Sequence, residues 1–161
     1  MDKREREKLI GRYANGPGRL REALAKAPER MRKWRPNPGE FSVHEVIVHC
    51  ADSETNSHSR IRYLMTEDNA TIIGYDTDVW AKTFRYLDHP LDAAMLTVEA
   101  VRANTVPILR RAPASAWAKA GTHNESGRYS AEDWLRIYAA HCHDHAEQIE
   151  HVIEAWTASQ A

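Results

Sequence analysis

Twice in this chain a serine is followed three residues later by an acid and then by a long run of helically spaced apolar residues: Ser42-Val-His-Glu45 and Ser130-Ala-Glu-Asp133. In a capping box the serine hydroxyl accepts from the amide three residues on, and the acid reaches back to the serine amide. Two otherwise orphaned donors at a helix start are thereby satisfied. One long helix is expected to open at Ser42 and run to about Met65, another to run from about Ala131 to Trp156. Phe41 and Val46 flank the first cap at the spacing of a hydrophobic staple.

The rest of the chain supplies two more long helical segments. Asp2 to Ala27 is rich in helix formers with Ile10, Tyr13, Leu20 and Leu24 among its apolar positions, but Gly16-Pro17-Gly18 predicts a bend or break. Trp34-Arg-Pro-Asn-Pro-Gly39 reads as a loop, because residues before proline avoid the helical region. Ala70 to His89 reads as a loop with a short helix. Pro90 opens a third long helix that runs to about Arg111, with a kink expected at Pro107. Ala112 to Tyr129, with Pro113, Gly121 and Gly127, reads as a connecting loop with a short turn around Trp117. No alternating strand pattern is evident. The fold class expected is all-α: a four-helix bundle with a short additional helix in a connecting loop, in one domain over residues 1–161.

A chain of 161 residues that is 42% hydrophobic can bury one substantial core. Its 22 basic residues nearly balance 23 acidic ones, so no global field favours nucleic acid. The N-terminal stretch lacks the apolar core of a signal peptide, and no stretch is apolar enough to span a bilayer, which predicts a soluble, cytoplasmic protein without membrane partners. Cys50 and Cys142 are the two cysteines, expected as reduced, small buried hydrophobes.

Histidine is the anomaly. Nine are present, three of them in His141-Cys142-His143-Asp144-His145. On a helix His141 and His145 lie about 40° apart while His143 points roughly to the opposite side. Trp134, Tyr138, Val152 and Trp156 fall within about 60° of His141, so the paired imidazoles face the core. Each buried ring nitrogen without a partner costs roughly 1–3 kcal/mol. A divalent ion satisfies such nitrogens, and His49, on the capped second helix, is the natural third ligand from a facing element. Three protein ligands leave a position open, as in catalytic rather than structural zinc sites. Spacing alone leaves a hydrogen-bonded pair of core histidines as the alternative.

Several longer segments carry a resemblance. Trp34-Arg-Pro-Asn-Pro-Gly-Glu-Phe-Ser-Val-His-Glu-Val-Ile-Val-His49, followed by Cys-Ala-Asp-Ser-Glu54 and Arg60-Ile-Arg62, resembles the opening of the DinB / YfiT-like superfamily. Gly74-Tyr-Asp-Thr-Asp-Val-Trp-Ala81 resembles that family's middle segment. Gly121-Thr-His-Asn-Glu-Ser-Gly127 and Tyr138-Ala-Ala-His-Cys-His-Asp-His-Ala-Glu-Gln-Ile149 resemble its second signature. The resemblance implies a compact four-helix bundle, often a homodimer, holding one divalent ion, zinc or nickel, through positions that map onto His49, His141 and His145. Some members carry an Asp where this sequence has His141.

Members of the superfamily include enzymes that attach low-molecular-weight thiols to electrophiles, a thiol-dependent isomerase and proteins described as metal-dependent hydrolases. The expected activity is therefore metal-dependent transfer of a low-molecular-weight thiol, as cosubstrate, to an electrophilic small molecule. One alternative is hydrolysis by metal-bound hydroxide; no Glu general base shares the ligand face. Another is a non-catalytic, stress-related metal or small-ligand binding protein. Asn56 and Arg60, on the His49 face, are candidates to hold an anionic cosubstrate or substrate, with bundle-crossing hydrogen bonds as their plainer role. Gln148 and Tyr138 share the ligand face and are candidates to orient ligands. His123 lies in a glycine-flanked loop that could cover the site. His44, His143 and His151 fall off the metal face.

Overall fold

Both serine caps form. Glu45 donates its backbone amide to Ser42 Oγ at 3.3 Å and accepts from the Ser42 amide at 3.0 Å; Asp133 does the same with Ser130 at 3.1 and 3.0 Å. The computed structural model describes all 161 residues, Met1–Ala161. Its four long helices are α1 (Lys3–Lys26), α2 (Val43–Thr66), α4 (Leu91–Arg111) and α6 (Ala131–Ala158). Two short ones, α3 (Thr77–Thr83) and α5 (Ala114–Trp117), lie in the connections, as do single 3-10 turns at Glu29–Met31 and Tyr86–Asp88. The expected four-helix bundle is the architecture observed. Helices α1 and α2 each pack against α4 and α6, so these two, consecutive among the long helices, sit across the bundle's diagonal. No helix is long and apolar enough to cross a membrane.

Of the bend or break expected at Gly16-Pro17-Gly18, the break does not occur, and α1 forms as one helix. Pro17 lacks an amide hydrogen and leaves the Tyr13 carbonyl without its helical donor, yet α1 continues unbroken. The missing donor comes from α4: Arg102 Nη1 donates to Tyr13 O at 2.6 Å. Gly16 makes room for it, since a Cβ there would lie 2.2 Å from that nitrogen and 2.8 Å from Cys142 Cβ. Pro107 likewise lies inside an unbroken α4, and Pro90 stands immediately before it as the cap residue.

Residues 112–129 are more ordered than a connecting loop. Three short strands, β1 (Thr71–Ile72), β2 (Ala120–His123) and β3 (Gly127–Ser130), form a sheet in the order β1-β2-β3, parallel then antiparallel. Gly127, at φ 77°, closes the β2–β3 hairpin in a left-handed conformation that glycine adopts without strain. The register of β1 on β2 depends on Gly121, where a Cβ would meet the Ala70 carbonyl oxygen at 2.1 Å. The hairpin runs directly into the Ser130 cap, so the sheet sets where α6 begins.

The core divides in two along the bundle. One apolar cluster includes Leu20, Val46, Val98 and Ile149; the other includes Ile10, Leu64, Leu109 and Trp134. Between them lies a buried polar layer in which Arg102 also donates to Glu54 Oε1 at 2.5 Å and to the Tyr138 carbonyl at 3.0 Å, while Tyr13 donates its hydroxyl to Glu54 at 3.2 Å. Every long helix contributes to this layer, and the histidine cluster lies beside it.

Candidate metal centre

His49 is carried by the second turn of α2, and His141 and His145 by the middle of α6. The structure brings these three together: ring centroids are 5.5 Å apart for His49 and His141, 4.8 Å for His49 and His145, and 4.5 Å for His141 and His145. One ring nitrogen from each lies within 4.8 Å of the others, and all three side chains are half-buried. Desolvation favours the neutral imidazole in each. It pushes the His49 pKa down to about 4, assisted by His145, and the His141 pKa down to about 2, assisted by His145, His49 and Arg102. His145 is also lowered by burial, against the opposing effect of the hydrogen bond it donates to Gln148. All three are therefore neutral, with a free lone pair, at neutral pH.

Their hydrogen bonding is incomplete. His49 Nδ1 and His141 Nδ1 are buried without a partner. His145 Nδ1 lies 2.8 Å from Gln148 Oε1; the amide oxygen can only accept, so Nδ1 carries the proton and Nε2 keeps the lone pair. Three neutral imidazoles converging with orphaned nitrogens fit a divalent ion, which would offset a cost of roughly 1–3 kcal/mol per unpaired group. Another grouping, Glu54 with His141 and Cys142, is close enough for a metal. Its carboxylate is spent on Arg102, and the Cys142 thiol, fully buried, points at Glu54 at 3.7 Å. Both cysteines are free and buried, as expected.

Around the cluster, Ser53 Oγ lies 3.3 Å from His141 Nε2. Tyr138 stacks 5.6 Å from the His141 ring and accepts from Arg60 Nη1 at 3.3 Å. Arg60 Nη2 donates to the Ile73 carbonyl, which anchors it against the segment after β1. Phe41 stands 6.1 Å from the His49 ring, and Tyr86 beyond it donates to Asp52 Oδ2 at 2.5 Å. Tyr75 stacks on Trp80 of α3 at 4.2 Å.

The residues singled out from the sequence thus separate into two sets. Tyr138 and Gln148 touch the ligand histidines, and Arg60 reaches the cluster through Tyr138. Asn56 turns its amide nitrogen back onto the Asp52 carbonyl at 2.8 Å. His123 is the last residue of β2; its ring packs 5.7 Å from Tyr129 and its Nδ1 accepts from the Glu125 amide at 3.2 Å, contacts that stay within the hairpin. His143 is bound to the Arg12 carbonyl at 3.0 Å and His44 to the His89 carbonyl at 2.9 Å, away from the cluster. Sequence reasoning missed Glu54 and Arg102. Their signal was present: Ile47, Cys50, Glu54, Ser57 and Ile61, and likewise Val98, Arg102, Thr105 and Leu109, keep core spacing with an acid in one stripe and a base in the other.

The profile of the DinB superfamily matches residues 12–149. A Bacillus licheniformis protein named "Putative metal-dependent hydrolase" is 32% identical, over 92% of this chain and 85% of its own length. An Oceanobacillus iheyensis protein with the same description is also 32% identical, over 69% of this chain, which spans 64% of that relative. The solved structure of YfiT from Bacillus subtilis, described as a probable metal-dependent hydrolase with an unusual four-helix bundle topology, superposes with a TM-score of 0.90 at 20% identity. The superposition covers 98% of this chain and 90% of that one.

Proposed function

The chain belongs to the DinB superfamily, and on that premise we propose that it is a divalent-metal-dependent enzyme acting on small molecules, with His49, His141 and His145 as the metal ligands. The observation that carries the reading is the convergence of three neutral imidazoles, two with buried unpaired nitrogens. When bound, the ion supplies a Lewis acid that polarises an oxygen or lowers the pKa of a thiol or water. The protein holds the three rings neutral by burial. Gln148 fixes the His145 tautomer, and Phe41 packs beside the His49 ring.

For the reaction we favour transfer of a low-molecular-weight thiol to an electrophile. What supports it is the state of the nearby carboxylates. Asp52 is engaged by Tyr86 and Glu54 by Arg102, so neither is placed to take a proton from water. A thiol, with a free pKa of about 8.5 against about 15.7 for water, depends less than water on such a base once a metal acidifies it. The names of the relatives support a second reading, metal-dependent hydrolysis. Elemental analysis of protein purified without a histidine tag tests the site, with about one ion per chain expected and none in His49→Ala. A thiol panel with monochlorobimane or an epoxide, run beside nitrophenyl esters, separates the two reactions. Metal-dependent conjugation that vanishes in His49→Ala supports transfer, and ester turnover with the same dependence supports hydrolysis.

A further inference from the structure

We infer that this site selects a ligand bearing a second, anionic group, a carboxylate in the simplest case, and that Arg60 is the residue that selects it; the inference rests on the metal-site reading above. The observation is an imbalance of charge. Arg60 is half-buried and held from two sides, by the Tyr138 hydroxyl and the Ile73 carbonyl, with its guanidinium carbon 5.9 Å from the centre of the Tyr75 ring. No carboxylate pairs with it. A guanidinium has five N–H donors, and these contacts occupy two groups of the fork, so donors remain for a ligand.

The groups between Arg60 and the histidines are donors as well. The Tyr138 hydroxyl accepts from Arg60, which leaves its own proton to give. Tyr75 and Tyr138 both interact with Ser53, whose hydroxyl meets His141. Burial pushes the Tyr75 phenol up to about 12, so it stays protonated as a donor. The acids that could neutralise this strip are turned elsewhere, Asp52 to Tyr86 and Glu54 to Arg102. The three ligand imidazoles contribute no negative charge of their own. From Arg60 through the buried Tyr138 and Ser53 to His141 the structure therefore lines up positive charge and hydrogen-bond donors without an acid among them. A neutral ligand would strip water from the guanidinium and return nothing of equal strength, whereas a carboxylate returns charge-assisted hydrogen bonds.

The test uses cobalt(II)-loaded protein titrated with 3-mercaptopropionate and with 3-mercapto-1-propanol, followed by the visible absorption of the metal. The two probes share a thiol anchor and chain length and differ in the charge at the far end. The carboxylate is expected to bind about tenfold more tightly, the scale of one hydrogen bond to a charged group. Arg60→Met should bring the two within about twofold, chiefly by weakening the carboxylate, while cobalt stoichiometry stays at the value of the unmodified protein; Arg60→Lys should keep part of the preference. If Arg60→Met does not fold by circular dichroism, Arg60→Gln carries the same comparison. Equal affinities in the unmodified protein, or a preference that survives loss of the guanidinium, overturn this inference alone. Failure to take up cobalt, or uptake indifferent to His49→Ala, overturns the metal-site reading and this inference with it.

Discussion

At the scale of single residues, burial decides the chemistry of the three imidazoles, and its sign can be followed into stability. The His49 pKa is about 4 in the folded protein against 6.5 for a free histidine. Between those values the unfolded chain binds a proton that the folded one does not, so stability of the metal-free protein rises with pH through this window and is lost on acidification. Above 6.5 neither state is protonated and the dependence disappears. The shift at His49 corresponds to roughly 3 kcal/mol, and the lowered pKa values of His141 and His145 act in the same direction. Urea midpoints of metal-free protein should fall steadily from pH 6.5 to 4, and His49→Gln should flatten the slope. A midpoint constant across this window would contradict the buried, neutral state. Gln148 gives a second prediction at this scale. Because it fixes the tautomer of His145, Gln148→Ala should weaken zinc binding about 10–100-fold, measured by competition with a chelating dye, while the fold is retained.

At the scale of elements, local signals were legible and partners from afar were not. The two capping boxes lie within three residues of sequence each, and they form where Ser42 and Ser130 stand. The apolar face of α6 and the pairing of His141 with His145 follow from helical spacing alone, whereas His49 as their third partner on a facing helix rested on the family resemblance. That the chain does not break at Gly16-Pro17-Gly18 could not be read locally, because the donor that replaces the Pro17 amide sits on α4, 89 residues away. The sheet escaped notice because strands of two and four residues are too short for alternation to register. Phe41 was legible as a staple residue at the α2 cap, but its packing against the His49 ring is tertiary and had no local mark. The α1–α4 crossing makes a prediction of its own. Gly16→Ala places a methyl group against Arg102 Nη1 and Cys142 Cβ, neither of which can withdraw from a buried contact. Thermal unfolding should show a loss of about 2–4 kcal/mol, where an open position such as Gly18 should tolerate alanine with a small gain in helix propensity.

At the scale of the whole molecule, the polar layer around Arg102 joins all four long helices: the Tyr13 carbonyl of α1, Glu54 of α2, Arg102 of α4 and the Tyr138 carbonyl of α6. Removing one charge strands the other in the core, so Arg102→Met or Glu54→Met alone should cost about 3–5 kcal/mol in denaturant unfolding. Replacing both residues by methionine removes the stranded charge, and the double variant should be less damaged than the sum of the single ones. It should not return to full stability, because the Tyr13 carbonyl then has neither the guanidinium nor, at Pro17, a helical amide. That remaining deficit has a specific remedy. Pro17→Ala puts the amide back, and in the double variant it should recover about 1 kcal/mol more than it does in the unmodified protein, where Arg102 already occupies the carbonyl. An equal effect of Pro17→Ala in both backgrounds would mean that α1 does not depend on α4 for its missing donor.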